Sequence, residues 1–410
     1  MINISRLRTG ADQPADHLRY GIRSAAEPCA PASSRTRKPI VVWNITRTCN
    51  LRCVHCYADS HAQIYPGELS REQCCAVIDD LADYKVSALL LSGGEPLLHP
   101  HLPGILEHAT RRGIKVTIST NGTRITPEWA AMFKELGVAY VGISLDGIGA
   151  VHDSFRGVQG AFDAAIRGFK HCEAAGQKTG LRLTLTRNNV QSMADILSFI
   201  EQEGIPRVCF YHLVPTGRGV DVAALRPEEA RAAMDMLIER ADAWHASGSK
   251  RELLTVTQPA DGVYILLRQL REGSPLAEQT YRLLRWNGGG ANSSGRGIAN
   301  IDTQGFIHPD QFWQSVTLGN VKHEPFSRVW DAAQSPSAPQ LQELRGSDDP
   351  LERRKKLTGR CATCKHFALC GGGYRTRAAI ANGHWYGSDP GCYLSDEEIH
   401  TDLPPHFTTN

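Results

Sequence analysis

Between residues 39 and 213 short apolar runs alternate with amphipathic ones, at a period of roughly 25–40 residues. The apolar runs are "PIVVWNI" (39–45), "VSALLLSG" (86–93), "IKVTIST" (114–120), "AYVGISLD" (139–146), "TGLRLTLT" (179–186) and "RVCFYHL" (207–213). The amphipathic stretches lie at 70–84, 101–112, 126–136, 159–174 and 191–203. A strand that returns after a helix lies parallel to its predecessor, because parallel pairing needs a crossover and the helix supplies it. Six such units fall short of the eight that close a barrel. The expected fold is therefore α/β, a partial (β/α)6 barrel, with functional residues gathered at the C-terminal ends of its strands.

Four segments are expected. Residues 1–38 are polar and turn-rich and read as an extended, partly flexible lead-in; 39–222 form the barrel. Residues 223–285 read as a helical connector, with helices at 227–246 and 261–284. Residues 286–400 form a small C-terminal domain, opened by "NGGGANSSGRG" and the hairpin-like "IANIDTQGFIHP" turning at Gln304-Gly305.

Composition narrows the function classes. Lys+Arg is 45 and Asp+Glu 43, a net charge of +2, so the basic field of a nucleic-acid binder is absent and no nucleic-acid partner is expected. No apolar run reaches the length of a membrane span, and "MINISRLRTGADQPADHLRYG" lacks the apolar core of a secretory signal, so a cytoplasmic location is expected. Twelve cysteines in a reducing compartment point to metal binding or redox chemistry rather than disulfides. Cys74, Cys75, Cys172 and Cys209 sit in apolar helix or strand patterns and read as small core residues; Cys29 lies in a Pro/Ala/Ser-rich stretch with no assigned role.

Two cysteine sets remain. Cys49, Cys53 and Cys56 follow the first strand directly, at spacing three then two. Three thiolates can hold three corners of a four-iron cluster and leave one iron open to a further ligand. The alternative on spacing alone is a zinc site completed by His55 or a distant residue. The second set is Cys361-x2-Cys364-x5-Cys370-x21-Cys392, enough for one closed four-iron cluster, with zinc again the alternative.

"CNLRCVHCY", "SGGEPLL" (92–98), "ISTNG" (118–122) and "ISLDG" (143–147), each at a strand end, together resemble the radical S-adenosylmethionine (SAM) superfamily. The resemblance implies that the open iron chelates the methionine end of SAM, and that an electron from the cluster cleaves the cofactor to a 5′-deoxyadenosyl radical. It further implies that Gly93 and Gly94 let backbone approach the cofactor and that Glu95 accepts from its amino group. Ser144 would hold its carboxylate or ribose, with Asn121 and Asp146 as ribose or substrate contacts. The plainer reading of these polar groups is turn formation at strand ends. Arg182 is expected to face a carboxylate inside the barrel, or else to point outward to solvent. "CATCKHFALCGGGYRTRA" resembles the twitch or SPASM auxiliary-cluster domain; four cysteines imply one auxiliary cluster, and Tyr374 stands where a further cysteine would sit. The expected cofactors are thus two 4Fe-4S clusters and SAM.

"PIVVWNITRTCNLRCVHCYA", "CFYHLVPTGRG", "GIANIDTQGFIHPDQFW" and "DPGCYLSDEEI", with the N-terminal string, resemble the tetrapyrrole-modifying branch of that superfamily. That branch removes acetate-derived side chains from didecarboxysiroheme. The resemblance implies one of two outcomes: methyl groups, giving Fe-coproporphyrin III, or positions prepared to become the oxo groups of haem d1. The other class with such a domain matures ribosomal peptides and commonly carries a peptide-binding domain ahead of the barrel, where this chain has 38 residues. A flat polycarboxylate substrate calls for cationic clamps. Arg187, Arg207, Arg218 and Arg296 are the candidates, and His212, Cys209 and His308 are candidates to approach the substrate iron. A low-potential electron donor such as ferredoxin or flavodoxin is the expected protein partner.

Overall fold

The structure, a computed structural model, describes residues 1–13, 15–21, 38–288, 293–331 and 338–408. All six expected strands form: β2 (Ile40–Thr46), β3 (Ala88–Gly93), β4 (Val116–Thr120), β5 (Tyr140–Ser144), β6 (Thr179–Leu185) and β7 (Arg207–His212). They pair in parallel and in chain order. β2 is buried along nearly its whole length, as a strand covered on both faces must be.

Two further strands extend the parallel sheet. β8 (Glu252–Val256) pairs with β7, and β9 (Ile298–Ile301) pairs with β2 on the opposite edge. β8 corrects the expectation of an all-helical 223–285. That segment carries the helices Pro227–Ala246, Ala260–Arg271 and Ala277–Asn287, but "ELLTV" between them is a buried strand. Its five residues, flanked by charge, are too short to show a period. β9 makes the expected hairpin with β10 (Phe306–His308), turning at Gly305 (φ +90°), and β11 (Gly319–Asn320) completes the antiparallel edge. The strand order ends at β11 on this side and at β1 (Ile2–Asn3) on the other, so among the described residues the barrel is partial.

The N-terminal segment is packed rather than extended. β1 pairs antiparallel with β8, and the helices Ile4–Thr9 and Asp16–Tyr20 follow. Asn3 is fully buried; its backbone N–H donates to the Tyr20 hydroxyl (3.0 Å) and its amide to Glu252 (3.2 Å). Arg19 donates to Glu252 as well (2.7 Å). Polar composition made this stretch look solvated, but its polar groups satisfy one another beneath the sheet. Cys29 and residues 22–37 lie outside the described residues.

Helices cover the outer face, each started by local chemistry. Ser70 and Gln73 form a capping box before Arg71–Asp83, and Thr126 caps Pro127–Glu135. Leu102, Ile105, Leu106 and Ala109 face inward from one helix at helical spacing. Cys74, Cys172 and Cys209 are buried as core residues, whereas Cys75 is half-buried. Among the described residues no helix is long and apolar enough to cross a membrane.

Candidate active site

Parallel strands deliver their C-terminal ends to one rim, and one cavity opens there. It is lined by Cys49, Cys53 and Cys56 from the loop after β2, by Gly93 and Gly94 after β3, by Asn121 after β4, and by Ser144 and Asp146 at the end of β5. Arg182 of β6 and Tyr211 and His212 of β7 complete the inner wall, and Gln311 and Phe312, just beyond β10, form the far side.

Backbone hydrogen bonds hold the start of the cysteine loop. Cys49 N–H donates to His61 O (3.0 Å); Arg52 and Val54 N–H donate to Arg156 O and Phe155 O (both 2.9 Å). Gly157 ends the helix Ala150–Arg156 at φ +66°, where a β-carbon would stand 2.7 Å from Arg52 O. On the other flank a β-carbon at Gly93 or Gly94 would stand 2.2 Å from Thr46 O or 2.3 Å from Thr48 O. The two glycines are thus required where β3 meets the cysteine loop, a reason beyond any cofactor.

Donors point at the sulfurs. Leu51 N–H lies 3.4 Å from Cys49 Sγ, Ser60 N–H 3.5 Å from Cys56 Sγ, and the Arg156 guanidinium 3.3 Å from Cys53 Sγ. Burial pushes the Cys49 thiol up to about 12, and burial likewise raises Cys53 against the pull of Arg156. Bare thiolates are costly in such a place; a positively charged iron core compensates them, and the N–H donors are those a cluster's sulfurs use. The donor set therefore fits a cluster held by three cysteines.

The carboxylates are committed. Glu95 is fully buried and does not line the cavity. It accepts from Leu97 N–H (3.1 Å), the Thr120 hydroxyl (2.7 Å) and Asn121 N–H (2.8 Å). These bonds tie the turn after β3 to the end of β4, whose Thr120 and Asn121 line the cavity. Asn121 in turn reaches Asn50 Oδ1 (3.0 Å) beside Cys49. Asp146 ion-pairs with Arg156, stands 3.6 Å from His55 Nε2 and accepts from Thr184 N–H (2.8 Å). Burial opposes its charge, but Arg156, helped by the Thr184 N–H, holds its carboxyl below the usual range. Burial also brings the His55 imidazole down to about 4, leaving it neutral.

Arg182 faces inward, as expected. Its guanidinium bonds the Tyr211 hydroxyl and lies 4.9 Å from that ring's centroid. Among the described residues no carboxylate stands within ion-pair distance of it. His212 Nε2 is 3.2 Å from Asp261, which accepts from the Tyr393 hydroxyl (2.7 Å). Tyr57 donates to Asn44 (3.1 Å) and meets Phe312 edge-on at 5.1 Å, giving the mouth an aromatic rim.

Several expected substrate residues fall elsewhere. Arg218 braces the cysteine loop through Cys53 O (2.9 Å), Asp59 (2.7 Å) and Ser60 O (3.1 Å) and does not line the cavity. Arg207 begins β7, so parallel geometry puts it at the opposite end of the barrel, paired with Glu252 (3.1 Å). Arg187 pairs with Glu229 near the surface (3.4 Å). His308 is buried with both ring nitrogens engaged, by Val316 O (2.9 Å) and Asp302 (3.4 Å). Cys209 is level with Arg182 on the neighbouring strand but does not line the cavity. Arg296 lines a separate cavity. Sequence reading missed Arg156, Tyr211 and Phe312. The helix-ending "FRG" and the hairpin exit "DQFW" carry no sign of where they will fold.

Cys361, Cys364, Cys370 and Cys392 line one small enclosed cavity with Phe367, Gly372, Gly373 and Asp389. His366 N–H lies 3.4 Å from Cys364 Sγ. Burial raises Cys364 and Cys370, and raises Cys392 to about 11. Three buried thiols and one half-buried, Cys392, around one cavity fit a cluster by the same argument. Among the described residues no three His, Cys, Asp or Glu side chains are drawn in around a single metal ion.

Comparison with known proteins accords with this geometry. Residues 43–200 match the model of the radical SAM superfamily. The chain is 43% identical to Fe-coproporphyrin III synthase of Methanosarcina barkeri, over 97% of this chain and 99% of that one. It is 41% identical to pre-heme d1 synthase of Dinoroseobacter shibae, over 91% of each. The solved structure "Native anSMEcpe with bound AdoMet" shares the fold at 17% identity, with a TM-score of 0.66 over 88% of this chain and 95% of that one. Motif, rim geometry and near full-length identity agree: the chain belongs to the radical SAM superfamily, in the family that holds these haem-pathway synthases.

Proposed function

We propose that this enzyme removes the acetate side chains of iron-bearing didecarboxysiroheme to give Fe-coproporphyrin III. The observation that carries the reading is the convergence of three cysteine thiols and the neighbouring strand ends on one cavity, in a chain 43% identical end to end to a synthase of that product. Breaking an acetate arm from a ring carbon has no low-energy polar route. When bound, a four-iron cluster and SAM supply a carbon radical able to take hydrogen from an unactivated C–H bond beside the arm.

The chain's own residues do the rest. Cys49, Cys53 and Cys56 hold three irons, and Arg156 offsets part of the negative charge at Cys53. Gly93, Gly94, Asn121 and Ser144 form the wall for the cofactor, with Arg182 placed to take a carboxylate of cofactor or substrate. Asp146 keeps Arg156 in place. Tyr57 and Phe312 offer flat apolar faces to a macrocycle and keep water from the reacting carbon. The four C-terminal cysteines hold a second four-iron cluster, and a low-potential donor such as ferredoxin or flavodoxin reduces the enzyme in the cytoplasm.

A second reading, action on the same substrate toward haem d1, is favoured by the 41% identity to pre-heme d1 synthase. One experiment separates them. Reconstituted enzyme is incubated anaerobically with didecarboxysiroheme, SAM and dithionite, and the tetrapyrroles are identified by mass spectrometry. Fe-coproporphyrin III supports the proposal; a product that retains functionalised carbon at the two positions favours the second reading; an unchanged substrate with SAM cleavage refutes both.

A further inference from the structure

A second cavity lies in the C-terminal part, apart from the strand-end rim. Three arginines line it, Arg296, Arg353 and Arg375, together with the aromatic side chains of Phe367, Trp385 and Tyr386. Phe367 and Gly373 also line the four-cysteine cavity, so the two share a wall. On the other side Trp385 meets Trp313 edge-on at 5.7 Å, next in sequence to Phe312 of the active-site cavity.

The guanidinium groups are poorly paired. Arg375 gives one nitrogen to Trp385 O (2.9 Å) and Gly387 O (2.8 Å), and its other two nitrogens are buried without a partner. Arg353 Nε is likewise buried and unpartnered, and so is Trp385 Nε1. Arg296 has Asp348 at 3.6 Å and Arg345 O at 2.5 Å. The lining acids are already engaged: Glu343 accepts from the Tyr386 hydroxyl (2.5 Å) and Glu352 from Lys355 (2.6 Å). Burial, and then repulsion from Arg353, lowers Arg296 to about 9, and burial lowers Arg353 too. Buried donors without acceptors cost free energy, and clustered cations cost more. An anion seated among them removes both penalties at once, and guanidinium forks match a carboxylate in geometry.

We propose that this cavity is a binding site for a carboxylate-bearing ligand, the carboxylate among Arg296, Arg353 and Arg375 and the apolar part against Phe367, Trp385 and Tyr386. Two sources share that chemistry. One is a propionate arm of the tetrapyrrole, which rests on the function proposed above; the other is a small free dicarboxylate.

The test uses cluster-loaded protein and three probes: coproporphyrin III, its tetramethyl ester and succinate, each titrated by calorimetry. The variants are Arg353→Gln, Arg375→Gln and the pair. If the tetrapyrrole is the source, coproporphyrin III binding weakens about ten- to a hundred-fold in the double variant, while the ester, which lacks the charges, binds weakly to both proteins. If a free dicarboxylate is the source, succinate binding is lost in the double variant and coproporphyrin III binding is unchanged; the site then stands even should the tetrapyrrole reading fail. SAM affinity and cluster absorbance should be unaltered throughout. Should the double variant lose its clusters, wild-type protein decides, through protection of Arg353 and Arg375 from phenylglyoxal by either acid, mapped by mass spectrometry. Unchanged affinity for both acids in intact variants, or no protection of the wild type, overturns the proposal.

Discussion

A β-carbon at Gly94 would stand 2.3 Å from Thr48 O and 2.6 Å from Arg47 O, backbone atoms between β2 and Cys49. Gly94→Ala must move that backbone, so roughly half of the protein's iron should be lost, along with SAM cleavage, as measured by iron analysis and 5′-deoxyadenosine release. Arg218 gives the same loop its charged hydrogen bonds, each worth about 1.5–3 kcal/mol. Arg218→Ala should therefore lower first-site iron and cofactor cleavage together, about ten-fold or more. An effect on tetrapyrrole affinity alone would return Arg218 to the clamp role that "PTGRG" first offered. Arg182→Gln should behave otherwise: both clusters remain, and affinity for a carboxylate ligand of the cavity falls about ten-fold, read by titration of SAM and of coproporphyrin III. The cysteine sets were legible because their members are close in sequence, and the glycines and strand-end polar groups because their motifs resemble a known family and parallel strands end at one rim. The bracing role of Arg218 was not, because proximity to a site says nothing about which neighbour will take a side chain's hydrogen bonds.

The helix Asp396–His400 joins the C-terminal part to the barrel through one side chain. Glu398 bonds Arg231 of Pro227–Ala246 (3.1 Å) and Arg271 of Ala260–Arg271 (3.1 Å), and its own backbone oxygen accepts from His366 beside Cys364 (2.8 Å). Burial opposes the charge, but Arg231, the Ser395 N–H and Arg271 hold the carboxyl below its usual range. A depressed carboxyl contributes stability that is complete above its unfolded value of 4.5 and is lost as pH falls through the lower folded value. Urea midpoints should accordingly drop as pH is taken below about 4.5, and Glu398→Gln should flatten that drop while lowering the midpoint near neutrality. An unchanged pH slope in the variant would remove Glu398 from the account. The element-level surprises have a common cause. β8 and the N-terminal helices carry too few residues to show a period, and their polar groups are paired across long stretches of chain.

Two cysteine cavities sit on one continuous sheet and its C-terminal extension, bridged by His212, Asp261 and Tyr393. His212 lines the first cavity, and Tyr393 follows Cys392 of the second. The ligand sets nevertheless lie on separate parts of the chain. Replacing Cys361, Cys364, Cys370 and Cys392 together by Ala should reduce iron from about eight to about four per chain and leave SAM cleavage within a few-fold of normal. Turnover of didecarboxysiroheme should fall sharply. Stoichiometric zinc in the anaerobically purified wild type would refute the second cluster.

What the sequence determined by itself was whatever depends on local order: the βα period, the parallel rim it forces, and two cysteine sets spaced to share a metal centre each. Tyr374, noted where a further cysteine would sit, meets a buried polar group in the fold: Asp310 accepts from Ser294 and Thr376 (2.6 Å), and burial, then Asp310, raises the Tyr374 phenol. Only the tertiary structure decided the assignment of charge. Cations and acids look alike in a string of letters; burial and partner geometry separate Arg182, bonded to Tyr211 in the cavity wall, from braces at Arg156 and Arg218, and gather Arg296, Arg353 and Arg375 around a cavity of their own. Hydrogen bonds over tens or hundreds of residues are short-range forces between distant positions, so they are set when the chain has folded and not before.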